Sequence, residues 1–163
     1  MGFQMIAQEW QTPKIEGYGK IKYFENAAEQ PDASIHHKLV FNITDEKEKE
    51  GVNAGLWRIA RTLNLFEAAK MPSEKLEVVA VVHGEATYLA LSEAMYQKKY
   101  NKPNPNLELL KLLKANGVKV YVCGQALSGR DFEPKDMNEY TQLALSALTV
   151  LSNYQHKGYA LIQ

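Results

Sequence analysis

Residues 76–82 read LEVVAVV, and this stretch decides the fold class. It is almost purely apolar, as a strand is when both of its faces are buried. Such strands are typical of parallel sheets, because the helices that connect parallel strands cover both faces of the sheet. The stretch therefore favours a parallel sheet flanked by helices.

Strand patterns alternate with helix patterns on both sides of this stretch. Residues 39–44 (LVFNIT) are rich in β-branched and aromatic side chains, which predicts a strand, and a charged turn over 45–50 follows. Apolar side chains recur at steps of three and four residues from Val52 to Phe66, which predicts a helix that Pro72 ends. The remaining predicted elements are helices over 87–100, 107–115 and 148–157, strands over 118–122, 141–147 and 159–162, and a loop over 125–134.

This alternation of strands and helices is typical of βαβ units. It predicts a three-layer α/β/α domain over residues 38–163, with a mainly parallel five-stranded sheet and a flavodoxin-like architecture. Residues 1–37 are predicted to be an N-terminal extension, because turn-forming residues interrupt the weak apolar periodicity there. Residues 1–10 do not form an intact signal peptide, and the sequence is compatible with both the cytoplasm and the periplasm.

The overall composition argues against several classes of protein. The 163 residues include 19 basic and 19 acidic side chains, and this neutral balance argues against a general binder of nucleic acids. The longest uninterrupted apolar run, 78–82, is far shorter than the ~20 residues of a membrane span. Cys123 is the only cysteine in the sequence, so a disulfide within the chain is excluded and Cys123 acts as a lone thiol.

The candidate site follows from the places where the predicted strands end. In α/β folds of this kind, ligands bind beyond the carboxyl ends of the strands. Asp45, residues 83–85 and residues 123–125 directly follow three predicted strands, so we expect them to gather at one edge of the sheet. The ligand-binding residues predicted beside Cys123 and His83 are Gly84, Glu85, Gly124 and Gln125.

Cys123 is the strongest candidate for chemistry. If residues 125–127 begin a helical turn, backbone N–H groups face the thiol and lower its pKa, and Arg130 adds positive charge nearby. His83 emerges from the core at a strand end, where an imidazole beside the thiolate can assist it. The residues alone leave two alternatives open: a buried cysteine that acts as a small hydrophobe, and a histidine that hydrogen-bonds a loop carbonyl.

Three other kinds of site have little support in the sequence. A flavodoxin-like nucleotide site is disfavoured, since no glycine-rich phosphate motif follows a strand and the turn over 45–50 carries four carboxylates. A thiol hydrolase is disfavoured because Cys123 lacks a clear third catalytic group and a family signature around it. No metal site is predicted, because the adjacent His36 and His37 would point to opposite faces of a strand.

Several longer stretches of the chain resemble the DsrE/DsrF-like family, which includes the TusD-type sulfur carriers. They are 39–44 (LVFNIT), 81–87 (VVHGEAT), 104–109 (NPNLEL), 117–127 (GVKVYVCGQAL) and 158–162 (GYALI). The similarity spans the chain from about residue 37 to residue 163, and 117–127 is its most specific part. Residues 15–19 (IEGYG) resemble a leader that a subset of members carries, often ahead of the mature domain of an exported protein.

The resemblance implies a compact α/β/α domain that assembles into homotrimers or homohexamers. In sulfur-relay members, the cysteine at the position of Cys123 accepts sulfur as a persulfide from a donor protein and passes it to an acceptor. The expected function is therefore sulfur transfer or carriage on Cys123, tuned by His83 and Arg130 and without a cofactor. The alternative is a module of the same fold that binds a small ligand or mediates assembly without transferring sulfur.

Overall fold

The structure is a computed structural model that describes residues 8–163, a region of alternating strands and helices. None of its helices is long and apolar enough to cross a membrane. The strands are β1 (His37–Ile43), β2 (Glu48–Lys49), β3 (Val52–Asn53), β4 (Leu76–Val82), β5 (Lys119–Cys123), β6 (Gln142–Ala144) and β7 (Ala160–Ile162). The α-helices are α1 (Ala54–Ala68), α2 (Glu93–Tyr100), α3 (Leu107–Ala115), α4 (Gly124–Ser128) and α5 (Ala147–His156). Short 3-10 helices cover Ser73–Lys75, Gly84–Ala90 and Pro134–Asp136.

Five of the strands form one parallel sheet in the order β6-β5-β4-β1-β7. The apolar β4 is its central strand, with residues 78–82 buried. From β1 to β6 each new strand is added on the same side, whereas β7 returns to the free edge of β1. Right-handed crossovers therefore put α1 and α3 on one face of the sheet and α5 on the other. This confirms the predicted α/β fold with a mainly parallel five-stranded sheet.

The two faces of the sheet carry separate apolar clusters. Successive side chains of a strand point to opposite faces. Val82 and Val122 accordingly join the large cluster beneath α1 and α3. Val81 and Cys123 join the smaller cluster beneath α5. Cys123 therefore belongs to the α5 side of the sheet.

Two predicted segments differ from the structure. The helix predicted over 87–100 is divided, because the backbone of Leu91 is extended and forms a β-bridge with Met137. Ser92 then starts α2, and its side chain accepts a hydrogen bond from the Met95 N–H. The predicted loop over 125–134 was wrong at its start, since α4 begins directly after Cys123 and buries Leu127 in the large cluster.

The charged turn over 45–50 also contains regular structure. β2 pairs with β3 in an antiparallel hairpin, and the two residues between them, Glu50 and Gly51, both have positive φ angles. That pair of left-handed residues matches the twist of a two-residue hairpin. The hairpin leads directly into α1, which Asn53 caps through its side-chain oxygen.

The segment before β1 packs along α1. Asn64 of α1 is fully buried, and its Oδ1 accepts hydrogen bonds from the backbone N–H groups of Lys14 and Ile15, both at 2.8 Å. Its Nδ2 donates to the backbone oxygens of Tyr18 and Gly19. Ile15 joins the large apolar cluster. One amide side chain thus holds both sides of the turn over residues 14–19.

Candidate functional site

Cys123 lies at the end of β5, where the connections after two neighbouring strands leave toward opposite faces of the sheet. α4 begins directly after it and joins the α1 and α3 side, whereas α5 follows the neighbouring strand β6 and covers the opposite face. The register pairs Cys123 with Ala144, the last residue of β6, so the thiol lies beside the start of α5. Crevices of this kind, between strand ends whose connections diverge, are where open α/β sheets bind ligands.

The thiol of Cys123 is surrounded by hydrogen-bond donors. Burial is the largest single influence on it and raises its pKa. The donors together outweigh burial, so the pKa of the Cys123 thiol lies below its ordinary value. They are the backbone N–H groups of Ala147, Ala126 and Gln125 and the hydroxyl of Ser146.

These donors belong to two helix ends that meet at the sulfur. Gln125 and Ala126 lie in the first turn of α4, and Ala147 is the first residue of α5. Ser146 is the N-cap of α5: its Oγ accepts from the Leu148 N–H at 3.2 Å and lies 4.0 Å from the Cys123 Sγ. The first N–H groups of a helix have no partners within the helix, which leaves them free to stabilise a thiolate.

Access to the thiol is narrow. Cys123 is only 5% exposed. Exposed leucines flank the backbone that encloses it: Leu145 is 72% exposed and Leu148 is 78% exposed. With Leu143 of β6, which is also exposed, they form an apolar surface that we call the leucine rim. Leu143 lies next to Gly124, so the leucine rim adjoins the backbone that directly follows Cys123.

His83 is placed at the end of β4, beside the end of β5. The preceding pair in the register is Val82 with Val122, and the backbone of His83 is still extended. The side chains of His83 and Cys123 therefore point toward the same face of the sheet. The ring Nε2 lies 2.8 Å from the Asn42 Oδ1, and since an amide oxygen only accepts, Nε2 carries the proton. Burial lowers the pKa of His83, which favours the neutral ring.

The guanidinium of Arg130 points to Glu85 and Tyr88. Its Nη2 lies 2.8 Å from the Glu85 Oε1, and its Cζ lies 5.6 Å from the centre of the Tyr88 ring. The Nη1 group donates to the backbone oxygen of Ala126 in α4. Neither Arg130 nor His83 is among the groups that shift the pKa of Cys123. Arg130 therefore connects α4 to the segment that follows β4.

The remaining predicted residues shape the backbone around the strand ends. Gly84 has a φ of +57°, and a Cβ there would lie 2.7 Å from the Thr44 backbone oxygen. A Cβ on Gly124 would lie 3.0 Å from the Ala144 backbone oxygen. Gln125 donates from Nε2 to the Leu145 backbone oxygen at 3.1 Å. Gly124 and Gln125 thus hold the end of β5 against the segment that leads into α5.

Sequence reasoning missed two residues of the site. Ser146 fell inside the strand predicted over 141–147, although a serine directly before an apolar helical stretch is a typical N-cap signal. Asn42, the partner of His83, lies one residue before the end of β1, and no local pattern distinguishes it from an ordinary strand residue.

Comparisons with known proteins agree with the fold. MTH1491 from Methanobacterium thermoautotrophicum, described as a protein of unknown function, is similar in fold with a TM-score of 0.57 and 17% identity, over 77% of this chain and 97% of that one. The crystal structure of the YchN protein from E. coli has a TM-score of 0.54 and 17% identity, over 77% of this chain and 96% of that one. A comparison with curated proteins gave no match. The sequence model of the DsrE/DsrF-like family matches residues 35–163, and the chain belongs to that family.

Proposed function

We propose that this protein carries sulfane sulfur as a persulfide on Cys123. The observation that carries the proposal is the set of backbone N–H donors around the thiol, which lower its pKa. A thiolate is the nucleophile in sulfur exchange, so a group of donors that favours the charged form also favours the reaction. Membership of a family that includes sulfur-relay proteins supports the same function.

The transfer is balanced without an external oxidant or reductant. The Cys123 thiolate attacks the terminal sulfur of a donor persulfide, R–S–SH. A bond forms between Sγ and that sulfur, the sulfur–sulfur bond of the donor breaks, and the donor leaves as the thiolate R–S⁻. The thiolate of an acceptor later attacks the terminal sulfur on Cys123, which releases the Cys123 thiolate and forms the acceptor's persulfide.

His83 is proposed to serve the acceptor step. Its Nε2 proton is committed to Asn42, so Nδ1 is the basic nitrogen of a ring that burial keeps neutral. A neutral imidazole at the next strand end is suited to take the proton from an incoming acceptor thiol. His83→Gln should then slow release of sulfur to an acceptor thiol more than it slows loading. Equal slowing of both steps, or of neither, would contradict this role.

The direct test is mass spectrometry after incubation with a sulfane-sulfur donor. The wild-type protein should gain the mass of one sulfur atom, and dithiothreitol should remove it. That reversal separates a persulfide from sulfinic acid, which has nearly the same added mass and resists thiols. Cys123→Ser is the control and should gain nothing. The proposal fails if wild type forms no adduct, or if Cys123→Ser forms the same one.

The second candidate is a binding or assembly module in which Cys123 only packs, and the 5% exposure of Cys123 favours it. The alkylation rate of the thiol, measured against pH, discriminates the two. The sulfur carrier requires a reactive thiol that titrates below ~8.5, whereas the module predicts slow alkylation and no adduct. Arg130→Gln in the same assay tests the predicted electrostatic effect of Arg130 on the thiol.

Self-assembly is part of the proposal. The leucine rim leaves three large apolar side chains in contact with water, a feature typical of surfaces that bind another protein. A homotrimer or homohexamer that covers this rim would also bring a neighbouring subunit close to Cys123. Light scattering measures the oligomeric state, and a monomer at working concentrations would contradict this part.

A further inference from the structure

A cavity that excludes Cys123 lies at the carboxyl edge of the sheet. It has a volume of about 310 Å³, roughly that of ten water molecules, which suits a small organic molecule. Its walls come from the turn after β1, the 3-10 helix after β4, and α2, together with the residue that caps each of α1 and α3. It opens on the side of the sheet that carries α1 and α3, whereas the thiol lies on the α5 side.

Three tyrosine rings form one wall of this cavity. The ring centres of Tyr96 and Tyr100 are 4.5 Å apart, and those of Tyr88 and Tyr100 are 5.6 Å apart at nearly right angles. Tyr88 already attracts cations, since the Lys99 Nζ lies 5.1 Å from its centre and the Arg130 Cζ lies 5.6 Å from it. The rings of Tyr96 and Tyr100 have no such cation within residues 8–163. No cation of this part of the chain therefore competes with a positively charged ligand for these two rings.

Carboxylates supply the charge of the cavity. Glu46, Glu48 and Glu85 line it, and among residues 8–163 Lys102 is the one cation that does so. Arg130 forms an ion pair with Glu85, but Glu46 and Glu48 have no ion-pair partner within the described part of the chain. Even with Lys102 offsetting one carboxylate, the wall retains an unmatched negative charge.

The hydroxyl of Tyr96 is an independent sign of a ligand. Tyr96 is only 6% exposed, yet its hydroxyl has no hydrogen-bond partner in residues 8–163. Every solvent-inaccessible side-chain oxygen or nitrogen in this part of the chain has a hydrogen-bond partner. The unpaired Tyr96 hydroxyl is therefore accessible, and it opens to the cavity that Tyr96 lines. Burial raises its pKa, and the negative charges of Glu48 and Glu46 raise it further. Glu46 and Glu48 line the same cavity as Tyr96, so all three side chains face the same ligand.

We propose that this cavity binds a small organic cation, with Glu46 and Glu48 neutralising an ammonium group that lies against Tyr96 and Tyr100. A metal ion fits less well, because no group of three or more histidine, cysteine, aspartate or glutamate side chains in residues 8–163 converges well enough to hold one. An anion is disfavoured by three carboxylates against one ammonium. The Tyr96 hydroxyl accepts a hydrogen bond from the ammonium, and the rings of Tyr96 and Tyr100 contact the same group.

The test is calorimetric titration with putrescine, a linear alkyl diamine, against adipate as an anionic chain and Mg²⁺ as an inorganic cation. Putrescine should bind saturably. Glu48→Gln should weaken it about tenfold, because a charge-assisted contact becomes a neutral one, and Tyr96→Phe should weaken it about fivefold through the lost hydroxyl. Glu74→Gln, an exposed carboxylate before the amino end of β4, is the matched control and should leave binding unchanged.

Several results would overturn the proposal. They are the absence of putrescine binding, tighter binding of adipate, displacement of putrescine by equimolar Mg²⁺, and equal losses in Glu48→Gln and Glu74→Gln. Tighter binding of a lysine-containing peptide than of putrescine would overturn a free small molecule as the ligand. Cys123→Ser should bind putrescine like wild type, so failure of the sulfur-carrier proposal and failure of this one are separate results.

Discussion

The ends of β4 and β5 are neighbours in the sheet, but their backbones surround the ionisable side chain differently. At the end of β4 the N–H groups of His83 and Ala86 donate to the backbone oxygens of Ile43 and Thr44 at the end of β1. At the end of β5 the first N–H groups of two helices are directed at the Cys123 thiol. The N–H groups at the end of β4 are thus used in backbone hydrogen bonds. Those at the end of β5 are free to interact with the side chain.

This difference decides which charge state each side chain favours. The thiol gains donors that stabilise its negative form, and its pKa falls despite burial. The imidazole gains burial and a neutral amide partner, and its pKa falls because the positive form is desolvated. Position at the carboxyl edge of a sheet is therefore not enough to activate a residue. The connections that start there determine whether backbone donors are free to act on it.

The largest expected loss of stability is at the end of β4, where a Cβ on the glycine would come closest to the neighbouring backbone. Gly84→Ala forces a left-handed φ on a residue with a Cβ and pushes that atom to 2.7 Å from the Thr44 oxygen. We expect the free energy of unfolding to fall by about 2–3 kcal/mol, from strain and the displaced backbone. Urea denaturation measures this loss.

Gly124→Ala is the matched change at the end of β5. Its Cβ would lie 3.0 Å from the Ala144 oxygen, without a left-handed φ, so the loss should be about 1 kcal/mol. Equal losses in the two variants, or a larger one at Gly124, would contradict the closer backbone contact and the left-handed φ at Gly84.

The second prediction tests the donors at the thiol. Ser146→Ala removes the cap of α5 and the hydroxyl beside the Cys123 Sγ. The free energy of unfolding should fall by about 1 kcal/mol, and the pKa of the thiol should rise, because one donor to the thiolate is lost. Iodoacetamide alkylation measured against pH gives that pKa.

Ser92→Ala is the control for the cap alone. Ser92 caps α2 through a hydrogen bond from the Met95 N–H at 3.3 Å and is not among the groups that shift the pKa of Cys123. It should lose similar stability and leave alkylation of Cys123 unchanged. A thiol pKa that moves equally in both variants would count against a direct role for Ser146.

The smallest effect concerns the pH dependence that His83 brings to stability. Burial places its pKa below the ordinary value of about 6.5, so between these two values the unfolded chain binds more protons than the folded one. The free energy of unfolding should therefore fall as the pH falls through this window, with a slope below the one-proton limit of about 1.4 kcal/mol per pH unit. His83→Gln should remove that contribution, as measured by urea midpoints between about pH 5 and pH 8.

Asn42→Asp provides a control of opposite sign. A carboxylate in place of the Asn42 amide would stabilise the imidazolium and raise the pKa of His83. Stability contributed by that pair would be present at low pH and lost as the pH rises. The same slope in Asn42→Asp as in wild type would mean that His83 is not the group responsible.

The parts of the fold that were predictable have strong local signals. β4 was predicted at its observed bounds, because its apolar run is bounded by polar residues. α3 was likewise predicted at its observed bounds, since Asn116 and Gly117 follow its apolar stretch. The break between Ala90 and α2 was not predictable in this way, because it depends on the bridge between Leu91 and Met137, which are distant in sequence.

The site divides in the same way. The rule that ligands bind at strand ends placed Cys123 and His83 at one edge of the sheet without any structure. It did not identify Ala147 and Ser146 as donors, because they reach the thiol only when β6 lies beside β5. The tyrosine wall of the cavity also depends on the break before α2, which sequence periodicity does not report. Groups that meet through tertiary contacts therefore need the fold itself.

Asn64 has a consequence for how this chain can vary in evolution. Four of its hydrogen-bond partners belong to residues 14–19, so the segment before β1 and this position in α1 depend on each other. A descendant that lost the segment would expose an amide without partners beside an uncovered apolar stretch of α1. We expect losses of the segment to be accompanied by substitution at position 64, so the two changes should be inherited together.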